Sequence, residues 1–371
     1  MSPQFEIQVI AVLVAVTCAL PGVFLVLRKM SMMSDAITHT ILLGIVLAFF
    51  MTHDLKSPLL FWGAALVGVG TVWLTETLSR TRLMGGDAAI GIVFPLLFSI
   101  AIILITRYAG SVHLDTDAVL LGELAFAPFD RLILFGKDIG AKSIYTAGFL
   151  LFLNAMFILI FFKELKLATF DPLLAAVLGF APVMLHYALM MLVSLTTVGA
   201  FEAVGSVLVV AFMIGPPSTA YLLTNDLKRM MLLSALYGAL NALLGFQTAA
   251  FFDVSIAGSM AVMTGLSFFL VFLIAPERGL ISAMYQRRAQ RVTFAESTLL
   301  FHLYNHEGSS NEREEAGMDT LQHHLKWDLD YTQRIVQRLS RAKQLEIEGG
   351  VLRLTPSGRE RTLRDYREMM G

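Results

Sequence analysis

Ser34-Asp-Ala-Ile-Thr-His-Thr-Ile-Leu-Leu-Gly-Ile-Val-Leu-Ala-Phe-Phe-Met51 is an apolar run interrupted by two ionisable side chains, Asp35 and His39. As a helix it approaches the roughly 20 residues that cross a bilayer's hydrocarbon core. A spacing of four puts the carboxylate and the imidazole on one face, one turn apart. Ionisable groups at membrane depth are costly and point into a bundle interior or a wet cavity, where they mark an ion or substrate path. An acid with an imidazole suits a divalent transition metal. Taken alone, the residues also fit a capped helix start and a packed histidine bonded to a carbonyl.

The rest of the chain extends the membrane reading. It has 371 residues, 56% hydrophobic, with a mean hydropathy of +0.69, beyond that of a soluble domain. Of its charged side chains, 28 fall in the first 275 positions and 29 in the last 96, so a membrane body precedes a water-soluble tail. Apolar runs near 7–27, 34–51, 58–78, 88–106, 143–162, 181–199, 203–223, 230–251 and 256–275 give about nine spans. The stretch 118–135 is short and broken by Pro128, which fits a re-entrant or interfacial segment. The first run lacks a basic flank and a small-residue cleavage site, as a retained span does. A single cysteine, Cys18, allows no internal disulfide. Lysine and arginine in short loops set orientation. Arg28-Lys29, Arg80, Arg82, Lys163, Lys166, Lys228-Arg229, Arg278, Arg287 and Arg288 share one side under this scheme. The N-terminus is then outside and the C-terminal tail cytoplasmic.

Three local patterns carry more than hydropathy. Arg28-Lys-Met-Ser-Met-Met-Ser-Asp-Ala-Ile-Thr-His-Thr40 joins a positive loop to the Asp/His pair. In Lys166-Leu-Ala-Thr-Phe-Asp-Pro-Leu-Leu-Ala-Ala-Val-Leu-Gly-Phe180, Asp171 as N-cap and Pro172 at the first position open a short helix. Gly179 ends it. In Phe201-Glu-Ala-Val-Gly-Ser-Val-Leu-Val-Val-Ala-Phe-Met-Ile-Gly-Pro-Pro-Ser-Thr-Ala220, Glu202 stands near the outer end of a span that Gly215-Pro216-Pro217 breaks or kinks.

In this order the three patterns resemble the permease subunit of ABC importers for zinc, manganese or iron, over roughly residues 5–275. The resemblance implies an all-α polytopic membrane fold of the vitamin B12-importer type, in a bacterial inner membrane. It implies a second permease, as a copy or a paralogue, and a cytoplasmic ABC ATPase subunit. Asp35 and His39 match residues that meet the passing Mn2+, Zn2+ or Fe2+ near the outer gate. Phe170, Asp171, Pro172 and Gly179 match the segment that docks on the ATPase. Glu202, where many relatives have Gln, and Glu123, where relatives vary among polar residues, are weaker metal candidates. No Gly-rich phosphate loop ending in Lys and Ser/Thr is present. The chain is therefore not expected to be an enzyme; ATP hydrolysis falls to a partner. No permanently bound cofactor is expected. An extracytoplasmic metal-binding protein is expected to deliver the ion.

Residues 1–278 are thus the expected permease domain, 279–292 a basic linker and 293–371 a cytoplasmic domain. There, 293–306 reads as a helix with Leu299, Leu300 and Leu303 on one face. Residues 305–317 read as a loop and 321–327 as a second helix. Residues 329–343 read as a third, striped with Ile335, Leu339 and Ala342. Alternation around Gly349-Gly350 is a hairpin signal, and a charged helix closes the chain. This order resembles a small winged helix-turn-helix domain of the diphtheria-toxin-repressor type. Arg334, Arg338, Arg341 and Lys343 would then meet phosphates or base edges of nucleic acid. The domain's nearly cancelling charge argues instead for a protein-docking module. His323 and His324, adjacent on a helix, read as a solvated pair. The leading expectation is a metal importer's permease. Its rivals are a membrane-tethered metal-responsive transcription regulator, a permease-regulator combining both roles, and a secondary transporter without an ATPase.

Overall fold

The structure is a computed structural model that describes residues 2–54, 57–81, 83–108, 124–134, 137–309 and 311–370. It divides into two compact units, Met1–Gly279 and Leu280–Gly371. Each has its own apolar core.

Among the described residues, nine helices are long and apolar enough to cross a membrane. They begin with α1 (Pro3–Leu27), α2 (Ser31–Thr52), α3 (Pro58–Arg80), α4 (Gly86–Tyr108) and α5 (Lys142–Ile160). Two shorter helices follow, α6 (Phe162–Phe170) and α7 (Pro172–Val177). The spanning set then resumes with α8 (Pro182–Val204), α9 (Ser206–Leu223), α10 (Leu227–Phe252) and α11 (Ile256–Ile274). Local chemistry sets the ends. Proline opens α3 and α8, where its missing N–H costs nothing. Asp226 Oδ1 accepts the Arg229 N–H at 2.9 Å ahead of α10, and the Ser255 side chain caps α11.

The sequence reading divides spans 181–199 and 203–223 close to the observed boundary, but its break at Gly215-Pro216-Pro217 is not seen. The chain breaks at Gly205, between α8 and α9, and Gly215-Pro216-Pro217 lies inside a single assigned helix. Gly205 adopts φ 80° and ψ 168°, a region open essentially to glycine alone. Glu202 therefore belongs to the end of α8.

Helix α1 is the central post, packed against α5, α8, α9 and α10 and burying Ile10, Val14, Cys18 and Phe24. Pro217 has no N–H to offer the Met213 carbonyl four residues back. Gly22 of α1 lies against that carbonyl, so close that a Cβ at Gly22 would overlap its oxygen and come within 3.1 Å of Pro217 Cγ. Helices α2 and α3 meet at Gly44 and Gly63, where a Cβ on Gly44 would stand 2.6 Å from Ala64 Cα. Small residues permit such contact in lipid, where packing rather than water expulsion holds helices together. Buried polar groups pair across helices: Thr71 Oγ1 donates to Thr40 Oγ1 at 2.8 Å, and Asn154 Nδ2 to Thr196 Oγ1 at 2.8 Å. Hydrocarbon offers no replacement for such bonds.

The expectation of an all-α membrane body needs a second correction, since the unit is mostly helical. Strands β1 (Arg131–Leu134) and β2 (Lys137–Ala141) form an antiparallel hairpin before α5. Within 118–135, the described part is a turn, the 3-10 segment Ala127–Phe129 and β1.

The second unit begins with α12 (Leu280–His306), one continuous helix that includes the basic stretch read as a linker. Nothing after Gly279 breaks it, because Ala, Met, Gln and Arg are good helix formers. The stretch read as a loop contains α13 (Glu312–Glu315) and pairs Gly317 with Val351. Then come α14 (Leu321–Leu325), α15 (Leu329–Arg341), β3 (Leu345–Glu348), β4 (Val351–Leu354) and α16 (Pro356–Met370). Gly349 and Gly350 both take positive φ, 57° and 82°, as a two-residue hairpin turn demands. The core joins Leu299, Leu300 and Leu303 to Ile335, Leu339 and Leu352. Ala342 is an exposed C-cap, and Val336 takes the core place expected of it.

Candidate functional site

Helix α2 starts at Ser31, so Asp35 belongs to its second turn and is no cap. His39 Nε2 lies 3.6 Å from Asp35 Oδ1. That is too long for a hydrogen bond. It is near the separation of roughly 3–3.5 Å kept by two ligand atoms that each sit about 2.1 Å from one ion. The imidazole stacks on Phe94 at 5.7 Å between centroids and meets Phe98 edge-on at 5.8 Å, both from α4. Asp35 and His39 are part-exposed, on a stripe of α2 that also carries exposed Met32 one turn earlier. The neighbouring Ala36, Ile37 and Thr40 are buried. Hydrocarbon is a poor cover for a carboxylate and an imidazole. Water or further protein must lie against that stripe.

His39 is eight residues into α2. At 1.5 Å per residue it is roughly 12 Å from the Arg28-Lys29 end and roughly 20 Å from the other. The pair is thus nearer the Arg28 end of α2 than its other end. Glu202 does not join it. At the far end of α8, its Oε1 accepts from Lys142 Nζ at 2.8 Å, and Lys142 also stands 3.7 Å from Asp130. Glu123 lies outside the described residues.

The second candidate, the segment around α7, is built as its sequence requires. Asp171 Oδ1 accepts the Leu174 N–H at 2.9 Å. Gly179 takes φ 86°, while its N–H and that of Phe180 reach back to the Ala176 and Ala175 carbonyls. Phe170, Leu173, Val177 and Leu178 are exposed. A capped helix presenting clustered large apolar side chains suits either a docking surface or an ordinary interfacial helix.

A polar network, missed from the sequence, ties this segment to the bundle. Arg28 Nε donates to Thr169 Oγ1 at 3.1 Å, and Arg28 Nη1 lies 3.0 Å from His186 Nδ1. His186 Nε2 contacts Glu76 Oε1 at 2.5 Å, and the Tyr187 hydroxyl donates to Glu76 Oε2 at 3.0 Å. These residues line a cavity of about 630 Å³ that Pro172 also borders. Burial holds the Arg28 guanidinium below the ordinary arginine range, and the Glu76 charge opposes that shift. The available sign was Glu76 and His186 standing as ionisable residues near the ends of apolar runs.

In the second unit, Arg334, Arg338 and Arg341 share a face of α15 by spacing. Arg338 is already engaged, its Nε 2.9 Å from Glu296 Oε1, while Arg361 holds Glu296 Oε2 at 3.0 Å. Arg334 Nε donates to the Asp330 carbonyl at 3.1 Å. Lys343 takes φ 55°, and its carbonyl accepts from Thr355 and Ser357.

Comparison with known proteins adds a family. A model of the ABC 3 transport family matches residues 5–275. The chain is 43% identical over 353 residues to the zinc transport system membrane protein TroD of Treponema pallidum, covering 95% of this chain and 96% of that protein. A match of that length extends into the second unit. It is 47% identical over 281 residues to the manganese transport system membrane protein MntD of Bacillus subtilis, covering 75% and 95%. Among solved structures, PsaBC from Streptococcus pneumoniae in complex with Fab is similar at 30% identity and a TM-score of 0.62, covering 75% of this chain and 94% of that one.

Proposed function

This chain belongs to the ABC 3 transport family, and from that premise we infer that it is a permease subunit of an ABC transporter carrying zinc or manganese across a bacterial inner membrane. The observation that carries this reading is the family match across residues 5–275, the whole spanning unit. Relatives named for zinc and for manganese both cover at least 95% of their own length. Iron remains within the same donor chemistry.

In this reading Asp35 and His39 form a transient site for the passing ion. Its affinity is modest, since an ion held tightly would not leave. The open stripe of α2 faces the conduit, completed by a second permease. An extracytoplasmic binding protein hands over the ion, and a separate ATPase docks on α7 through Phe170, Asp171, Pro172 and Gly179. When the ATPase pair closes, Thr169 pulls on Arg28, and His186 and Glu76 pass the movement to α8 and α3. Import, rather than export, follows from the family resemblance. The second unit reads as a cytoplasmic winged-helix module, an assignment supported by α12, α14 and α15 preceding the β3–β4 hairpin. With Arg338 paired to Glu296, its role in this reading is docking or regulation rather than nucleic-acid contact.

The test is uptake of Mn2+, Zn2+ and Fe2+ in cells with and without the partner ATPase. Accumulation of one of them must require both chains; uptake that persists without the ATPase sinks the reading in favour of a secondary transporter. Two substitutions probe the transmission. Asp171→Ala removes a cap worth about 1 kcal/mol, so α7 frays while the bundle folds normally. Glu76→Gln weakens charge-assisted bonds worth roughly 1.5–3 kcal/mol each. Both variants should bind metal as wild type does yet lose most metal-dependent ATPase stimulation in reconstituted vesicles. Full stimulation in both would remove this route of coupling.

A further inference from the structure

Three of the chain's histidines converge within the second unit. His302 and His306 stand one turn apart on α12, Glu315 closes α13, and His324 lies on α14. One ligand atom each from His302, His306 and Glu315 falls within 4.8 Å of the others. His324 Nδ1 is 3.1 Å from Glu315 Oε2, and His302 Nε2 is 3.5 Å from the same oxygen. The His302 ring lies 4.8 Å from that of His306 and 6.1 Å, stacked, from that of His324. His323 and His324 are both exposed, as a solvated pair is, and His324 in addition contacts Glu315.

From this geometry we propose that His302, His306, Glu315 and His324 bind a divalent transition metal ion, at a site separate from Asp35 and His39. Imidazoles of two helices, His302 of α12 and His324 of α14, approach one oxygen of Glu315, with His306 one turn from His302. Two histidines at i and i+4 form half of a ligand set on one helix face. Three imidazoles and one carboxylate match the tetrahedral preference of Zn2+, and the same donors accept Mn2+ or Fe2+ with added water. His302, His306 and Glu315 are half-buried and His324 is exposed, so an ion can reach them. Binding requires the His302, His306 and Glu315 ligand atoms to close from as much as 4.8 Å to roughly 3.3 Å, a change within reach of side-chain torsions, while His324 enters from its place beside Glu315 Oε2. It also competes with the existing bond from His302 Nε2 to the Glu315 carbonyl at 2.9 Å.

The position of Glu315 gives the site a structural consequence. The next residues pair with the hairpin: the Leu352 N–H donates to the Ala316 carbonyl at 2.9 Å, and the Met318 N–H to the Gly350 carbonyl at 3.2 Å. An ion on Glu315 thus pins α12, α14 and the edge of β4 together and stabilises the loaded unit, because it binds the folded arrangement and not the unfolded chain.

The experiment uses the full-length chain in detergent, stripped with a chelator, in an Asp35→Asn/His39→Asn background that silences the spanning-unit pair. Titration with Co2+, read by its visible ligand-field absorption, should give one bound ion per chain, displaced by Zn2+. Adding His302→Gln and His306→Gln should abolish that absorption. Glu315→Gln, which leaves the α12 face untouched and guards against a folding defect, should weaken binding at least about tenfold, since even outer partners of a ligand cost 10–100-fold. No Co2+ bound in the background protein, or binding unchanged by His302→Gln/His306→Gln or by Glu315→Gln, overturns the proposal. None of these outcomes depends on whether the spanning unit imports metal.

Discussion

Cells carrying Asp35→Ala or His39→Ala, with the variant at wild-type level in the membrane, are expected to take up metal at least about tenfold more slowly than wild type. A direct ligand should cost no less than the 10–100-fold lost with its outer partners. The loss should fall on transport and not on assembly. Both side chains are part-exposed, and at 3.6 Å they share no hydrogen bond whose removal would strand a buried group. The double variant should be little worse than either single one, because two ligands of one ion act as a unit. Radiolabelled or mass-spectrometric uptake at limiting metal is the measurement. Uptake at the wild-type rate in both single variants removes the pair from the conduit.

Gly44→Val should be among the most damaging single changes in the spanning unit. A Cβ there meets backbone on the facing helix, 2.6 Å from both Gly63 C and Ala64 Cα, and backbone cannot rotate aside as a side chain can. Overpacking costs about 1–3 kcal/mol where side chains can adjust, so this position belongs at or above the upper end. Either α2 separates from α3, breaking the Thr71–Thr40 bond, or the protein fails to accumulate. Gly70→Ala is the control, because nothing lies within 4 Å of an added Cβ there. That change should be neutral or stabilise the helix by up to about 1 kcal/mol. Thermal unfolding in detergent, followed by size-exclusion chromatography, reads the contrast. Equal melting of the two variants would show that the α2–α3 contact contributes nothing.

Much of this molecule is legible in the sequence for reasons that particular residues make plain. Span positions follow from apolar length, and α7 follows from Asp171, Pro172 and Gly179, whose chemistry is local. The hairpin of the second unit follows from Gly349-Gly350 for the same reason. What escapes the eye is whatever depends on which helices become neighbours. Glu76 and His186 are 110 residues apart and meet only when α3 lies beside α8. His302, Glu315 and His324 converge only once α12, α13 and α14 pack. The boundary between spans 181–199 and 203–223 is legible within a few residues of Gly205, whereas the continuity of the helix through Gly215-Pro216-Pro217 is not, because paired prolines are tolerated where an adjoining helix accommodates the freed carbonyl.

That last accommodation bears on how the bundle moves. Gly22 occupies the notch left by Pro217, against the oxygen of Met213, and sliding of α1 along α9 by a turn would drive a bulkier residue of the same face, Cys18 or Leu25, into the same notch. The two helices are consequently expected to move as a single strut. Whatever rotation alternates the openings must then be taken up at joints beyond it, of which Gly205, free of side-chain restraint, is the nearest along the chain.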